Sequence, residues 1–315
     1  MKTQPIVLSA ALAMVVPAMA CAAPFAYVPN EKSGTISVID VATRAAVREF
    51  AISERPRGIA IDPGGKRLFV TDAPSRSLVV VTLPEGQNAQ RWKVGESPEG
   101  VSLSRDGKWA AVAVEEDNSI ALLDATTGAE IAHIKVEGKN PEHAVFSPDG
   151  RWIYVSAEDA EQLDVIDVAA RRQVNRIAVG KRPRGIGFLP DGSRAYVACE
   201  LANTVFAIDT ATQTVVARIP AGNFSNGIAV HPAGKRVFVS NGRDGTVSAI
   251  DVATHTVVGP VAVGKRPWNM DITPDGATLL VANGRSDSVT LIDTTTLQSI
   301  GDVPVGQLPW GVVVR

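Results

Sequence analysis

Cysteine is almost missing from this chain. Cys21 and Cys199 are the only two, and Cys21 falls in an N-terminal segment that reads as an export leader, so no internal disulfide is expected. An oxidising compartment would then be tolerated rather than used to staple the fold. Net charge is missing too: 31 basic side chains stand against 33 acidic ones, which leaves no global field for nucleic acid. No DNA or RNA partner is expected. The chain also lacks a Cys-x-x-Cys-His haem site, a Gly-x-Ser-x-Gly nucleophile elbow and a glycine-rich phosphate loop. At the N-terminus an apolar run spans residues 6–16, with Lys2 before it and Pro17, Ala18, Ala20 and Ala22 after it. That pattern predicts a signal peptide over residues 1–22, cut after Ala22 or alternatively after Ala20, and too short to span a membrane. Lipid attachment at Cys21 is the other fate open to this segment. Residues 23–315 are expected in the periplasm, as a monomer with no transmembrane segment.

What the chain has in abundance is repetition. An apolar strand ending in Ile-Asp recurs at Asp40, Asp124, Asp167, Asp209, Asp251 and Asp293, with Thr82 standing in for the second copy, in steps of 42, 42, 43, 42, 42 and 42 residues. Turn glycines Gly65, Gly107, Gly150, Gly192, Gly234 and Gly276 keep the same period independently. In the fifth copy the grammar is four short strands, at about 227–230, 237–240, 246–250 and 256–263. Apolar runs on both strand faces fit sheets sandwiched between other sheets. Such a period, with four strands per unit, is that of an all-β propeller blade. After the leader, the chain is expected to start at a second strand, over 25–28, and to finish at a first strand, over 310–314. A seven-bladed β-propeller of four-stranded antiparallel blades is therefore expected, its ring closed by the C-terminal strand pairing with the N-terminal strands, which removes exposed edges.

Within that frame one position per unit, just after a loop proline or its equivalent, enters the innermost strand at the mouth of the central channel. It reads Arg57, Glu99, Glu142, Arg184, Asn226, Trp268 and Trp310. Structural need would favour seven similar residues, so a mixture of acids, arginines, an amide and two indoles points to a binding site. Such a ring offers carboxylates for a cation or hydroxyl group, guanidinium groups for an anion, and an indole wall for stacking. His143 follows Glu142 where other copies carry Gly, and Glu99, Glu142 and His143 are the candidates for a metal cluster. Beside the ring, Glu115, Glu116, Asp117, Glu158, Asp159 and Glu161 form an acidic sector and Arg243 and Arg285 a basic one. On the opposite face Lys66, Arg67, Lys108, Arg151, Arg194, Lys235 and Arg236 read as solvated hairpin residues. Asp271, in an inner strand where other copies are mostly small, reads as a buried aspartate capping groups of a neighbouring blade.

The phrases Ala26-Tyr27-Val28-Pro29-Asn30, Val237-Phe238-Val239-Ser240-Asn241 and Leu279-Leu280-Val281-Ala282-Asn283, each followed by a Val-Ser-Val-Ile-Asp-like strand, resemble the YVTN family of β-propeller repeats over residues 25–315. The order of mouth motifs, from Pro56-Arg57-Gly58 to Leu308-Pro309-Trp310-Gly311, resembles the periplasmic propeller family associated with PQQ-dependent alcohol catabolism. That resemblance implies an exported accessory or binding protein without established catalytic residues. A small organic ligand is the implied partner, or a periplasmic protein such as a quinoprotein dehydrogenase or an ABC transport component. The tryptophan-docking repeat and paired cysteines of the dehydrogenases themselves are missing, so neither PQQ nor any other catalytic cofactor is expected. The reading taken forward is a non-catalytic binding protein. Its alternatives are a lactonase-like hydrolase or lyase with a metal at the mouth, and a protein-interaction scaffold.

Overall fold

The computed structural model describes residues 24–315; the leader expected at 1–22 lies outside them. Seven four-stranded antiparallel sheets stand around one axis. Blade 1 contains the strands Pro56–Ile61, Arg67–Asp72, Ser77–Thr82 and Gln87–Lys93. The innermost strands of blades 2 to 6 are Pro98–Leu103, Pro141–Phe146, Pro183–Phe188, Ser225–Val230 and Pro267–Ile272. Blade 7 joins the two ends of the described chain. Val313–Val314 pairs with Phe25–Asn30, which is followed by Thr35–Asp40 and Ala45–Ala51.

Each repeated residue has a local task. The aspartate ending the third strand accepts backbone N–H groups two and three residues on, as Asp124 does from Thr126 at 2.9 Å and Thr127 at 2.8 Å, and so turns the chain toward the outer strand. Gly65, Gly107 and their equivalents sit at φ between 66° and 79°, a left-handed conformation that a Cβ would strain. The second and third strands are buried on both faces, and the apolar core is divided into seven seams between neighbouring blades. Outer strands such as Ala45–Ala51 are exposed along most of their length.

Ring closure is reinforced beyond the strand ladder. Phe25 and Arg315 exchange backbone hydrogen bonds at 2.7 and 3.0 Å. Asp271, in blade 6, accepts the Val314 N–H of the closing strand at 2.9 Å, so this carboxyl caps a neighbouring blade as the sequence suggests. On the hairpin face the structure corrects the reading of solvated basic residues. Lys66, Lys108, Arg151 and Lys235 are exposed, but Arg67, Arg194 and Arg236 are half-buried. Each donates from Nη1 to a carbonyl at the end of the next blade's third strand, at Ala125, Val252 and Thr294, over 2.6, 3.2 and 2.6 Å. Among the described residues no helix is long and apolar enough to cross a membrane.

Candidate functional site

A bulge places the mouth residues. In blades 1 to 6 the register of the innermost strand shifts just after its first residue, between Pro56 and Ile59 in blade 1 and between Pro98 and Val101 in blade 2. The residue inside such a bulge leaves the ladder and is re-aimed. The glycine that usually follows it is demanded by close approach: a Cβ on Gly58 would lie 2.1 Å from the Glu99 carbonyl oxygen, and one on Gly227 2.3 Å from that of Trp268. All seven ring residues, Arg57, Glu99, Glu142, Arg184, Asn226, Trp268 and Trp310, line one cavity of about 310 Å³. His143 does not. It lines a chamber of about 330 Å³ farther along the channel with Val101, Ile186 and Asp271, and its ring stands 5.6 Å from that of Trp310.

Residues outside the ring complete the mouth. The position just after each second strand carries Glu31, Glu115, Glu158 and Glu200 in four units and Ala73, Gly242 and Gly284 in the others. Two positions before the ring residue, Arg55, Arg182 and Arg266 appear in three units. Glu115 and Glu158 were legible beside the ring as part of an acidic sector, but Glu31, Glu200 and the three arginines were not, although the same period could have flagged both rows.

Ion pairing consumes the arginines. Arg57 donates from Nε to Glu31 at 3.0 Å and from Nη1 to Glu99, and Arg55 meets the same Glu31 oxygen at 2.6 Å. Arg184 bonds Glu142 at 2.6 Å, Glu158 at 3.2 Å and Glu200 at 3.1 Å. Fully buried Glu200 also receives Arg182 at 3.3 Å and Arg266 at 2.6 Å. The expectation of guanidinium groups waiting for an anion is therefore corrected: carboxylates from neighbouring loops already occupy them. Glu158 likewise belongs to this buried network, whereas Glu116, Asp159, Glu161, Arg243 and Arg285 remain on the exposed rim.

Two neighbouring acids end in different states. Burial, reinforced by the Glu142 charge, pushes Glu99 up to about 8, with Arg57 offsetting only part of the rise. Burial acts on Glu142 in the same direction, but the guanidinium groups of Arg184 and Arg57 oppose it, and that carboxyl lies below its ordinary range. Burial also holds the His143 imidazole low, hence neutral. The residues present do not fit a metal. Among those described no group of three His, Cys, Asp or Glu side chains is arranged to hold a metal ion, and His143 lines the channel chamber while Glu99 and Glu142 line the mouth.

Comparison with known proteins places this geometry among relatives. A YNCE-like β-propeller family model matches residues 2–171, and a lactonase, 7-bladed β-propeller family model matches residues 167–306. Among solved structures, a chain of Kuenenia stuttgartiensis hydrazine synthase aligns at 26% identity with a TM-score of 0.78, covering 85% of this chain and 92% of its own. A functionally unknown protein from Desulfotomaculum acetoxidans DSM 771 aligns at 16% identity and a TM-score of 0.80, over 92% and 98%, a likeness of fold. No curated protein matches the sequence.

Proposed function

The chain belongs to the YNCE-like β-propeller family, and from that premise we propose that it is an exported, non-catalytic binding protein whose channel mouth holds a small organic ligand. The observation that carries this reading is the asymmetry of the mouth ring: its positions in blades 1 to 4 carry ion-paired arginines and glutamates, and those in blades 6 and 7 carry Trp268 and Trp310. A rigid polar wall facing a flat apolar one orients a molecule that has both characters. A periplasmic role accessory to quinoprotein-dependent alcohol oxidation or transport is the narrower place we give it, supported by the order of the mouth motifs. Indole fluorescence during titration with alcohols, aldehydes and candidate partner proteins tests the reading. The Trp268→Ala/Trp310→Ala double variant is expected to lose at least about tenfold in affinity, near 1.4 kcal/mol; unchanged affinity would remove the site.

A second reading, a hydrolase or lyase, draws on the opposed states of Glu99 and Glu142, since a protonated acid beside an ionised one is the arrangement of acid–base pairs. The lactonase match itself covers residues 167–306, so neither carboxyl falls within it. Turnover of simple lactones that Glu142→Gln abolishes would move this reading ahead of the first.

A further inference from the structure

The four arginines that line the mouth are all committed to carboxylates: Arg57 to Glu31 and Glu99, and Arg182, Arg184 and Arg266 to Glu200 among others. Arg266 Nε is buried without a partner, but its guanidinium is already paired with Glu200, so an entering anion would compete with an internal carboxylate. The carboxylates are less fully engaged. Glu31, Glu99, Glu142 and Glu158 each give only Oε1 to arginine. Of the second oxygens, Glu99 Oε2 is buried with no hydrogen-bond partner, on a residue that is 1% exposed and lines the cavity. A buried oxygen left without a partner is costly. Three blades round the ring from it stands Trp268, with Trp310 beside it, and an indole face attracts cations more strongly than any other side-chain ring.

We propose that the mouth selects an organic cation, an amine or quaternary ammonium with an apolar body, its charge against Glu99 Oε2 and its body on Trp268 and Trp310. This rests on the small-ligand reading of the mouth and adds its chemical class. The groups facing Glu99 are Arg57 from blade 1, Glu142 from blade 3, with His143 packed beside the adjoining Gly100, and Ser97 and Glu115 from its own blade. With its carboxyl pushed up to about 8, Glu99 holds a proton at neutral pH in the free protein. A cation arriving beside it favours the carboxylate, so the carboxyl O–H proton passes to the buffer as the ligand enters, and the ligand keeps its charge.

Titration calorimetry of the whole protein at pH 7, in two buffers of different ionisation enthalpy, tests the assignment with four probes of matched body: 2-phenylethylamine, benzyltrimethylammonium, 2-phenylethanol and phenylacetate. The two cations are expected to bind at least about tenfold more tightly than the alcohol, phenylacetate weakest, with about one proton released per cation bound. Glu99→Gln is expected to lose both the preference and the proton release. Equal affinity for amine and alcohol, or no proton release in the wild-type protein, overturns the cation assignment and leaves the small-ligand reading standing. Failure of all four probes to bind overturns the cation assignment as well, and the indole titration then decides the small-ligand reading separately.

Discussion

On the hairpin face, Arg67, Arg194 and Arg236 perform one task three times, each reaching a carbonyl of the next blade. At the mouth, Arg57 and Arg184 occupy equivalent positions yet hold different partners, two glutamates for one and three for the other. The first pattern follows the rotational symmetry of the disc, and the second departs from it. A side chain that stabilises a symmetric frame finds the same neighbour at every step, whereas a binding surface needs its neighbours to differ. Repetition within a fixed period thus marks structure here, and the departure from it at the mouth marks the candidate site.

The comparison can be broken most forcefully at Arg184. Arg184→Ala would leave buried Glu142, Glu158 and Glu200 without their shared cation, an expected loss of about 3–5 kcal/mol in urea unfolding. A loss under about 1 kcal/mol would mean that the mouth network is solvated and that its asymmetry lies on the surface.

A smaller effect is expected from pH. Glu99 is raised to about 8 and Asp271 to about 6, both chiefly by burial, so the folded chain binds more protons than the unfolded one between the ordinary carboxyl range and those values. The contribution of each group to stability then falls as pH rises through its window, by at most about 1.4 kcal/mol per pH unit, while His143 and His255, held low chiefly by burial, contribute the opposite slope below the ordinary imidazole range. The slope of these two carboxyls is the reverse of the usual ion-paired carboxylate. Thermal unfolding across pH 5 to 8 should show Glu99→Gln flattening the upper part of the slope and Asp271→Asn the lower part. A pH slope that Glu99→Gln and Asp271→Asn both leave unchanged contradicts both assignments.

Smallest of all are the hairpin arginines. Arg194→Ala and Arg236→Ala should each cost about 1 kcal/mol, the worth of one hydrogen bond to a carbonyl, and Arg67→Ala somewhat more, since Arg67 also pairs Asp62 at 3.5 Å and stacks over Phe69. Unequal losses at Arg194 and Arg236 would show that this face is less symmetric than its geometry.

The blade count, the closure through Phe25–Asn30 and Val313–Val314 and the seven mouth positions were legible in the sequence because each depends on a period that local chain geometry must keep. Asp271 was legible as an exception to that period. Less accessible were Glu31, Arg182, Glu200 and Arg266, which look like ordinary loop charges one at a time. The side chain of His143 also takes a course that no spacing reveals, lining the channel chamber instead of the mouth.

The sequence alone therefore determined the architecture and the address of the mouth ring, since a repeat that cannot bury its faces singly must stack, and stacking at this period closes a ring. Only the tertiary structure decided what the site is made of. Arg184 and Glu200 are 16 residues apart and Arg266 and Glu200 are 66, and these distances in sequence say nothing about which groups meet. Pairing and burial are set where neighbouring blades converge, so it took the closed ring to neutralise the arginines and leave one oxygen of Glu99 without a partner.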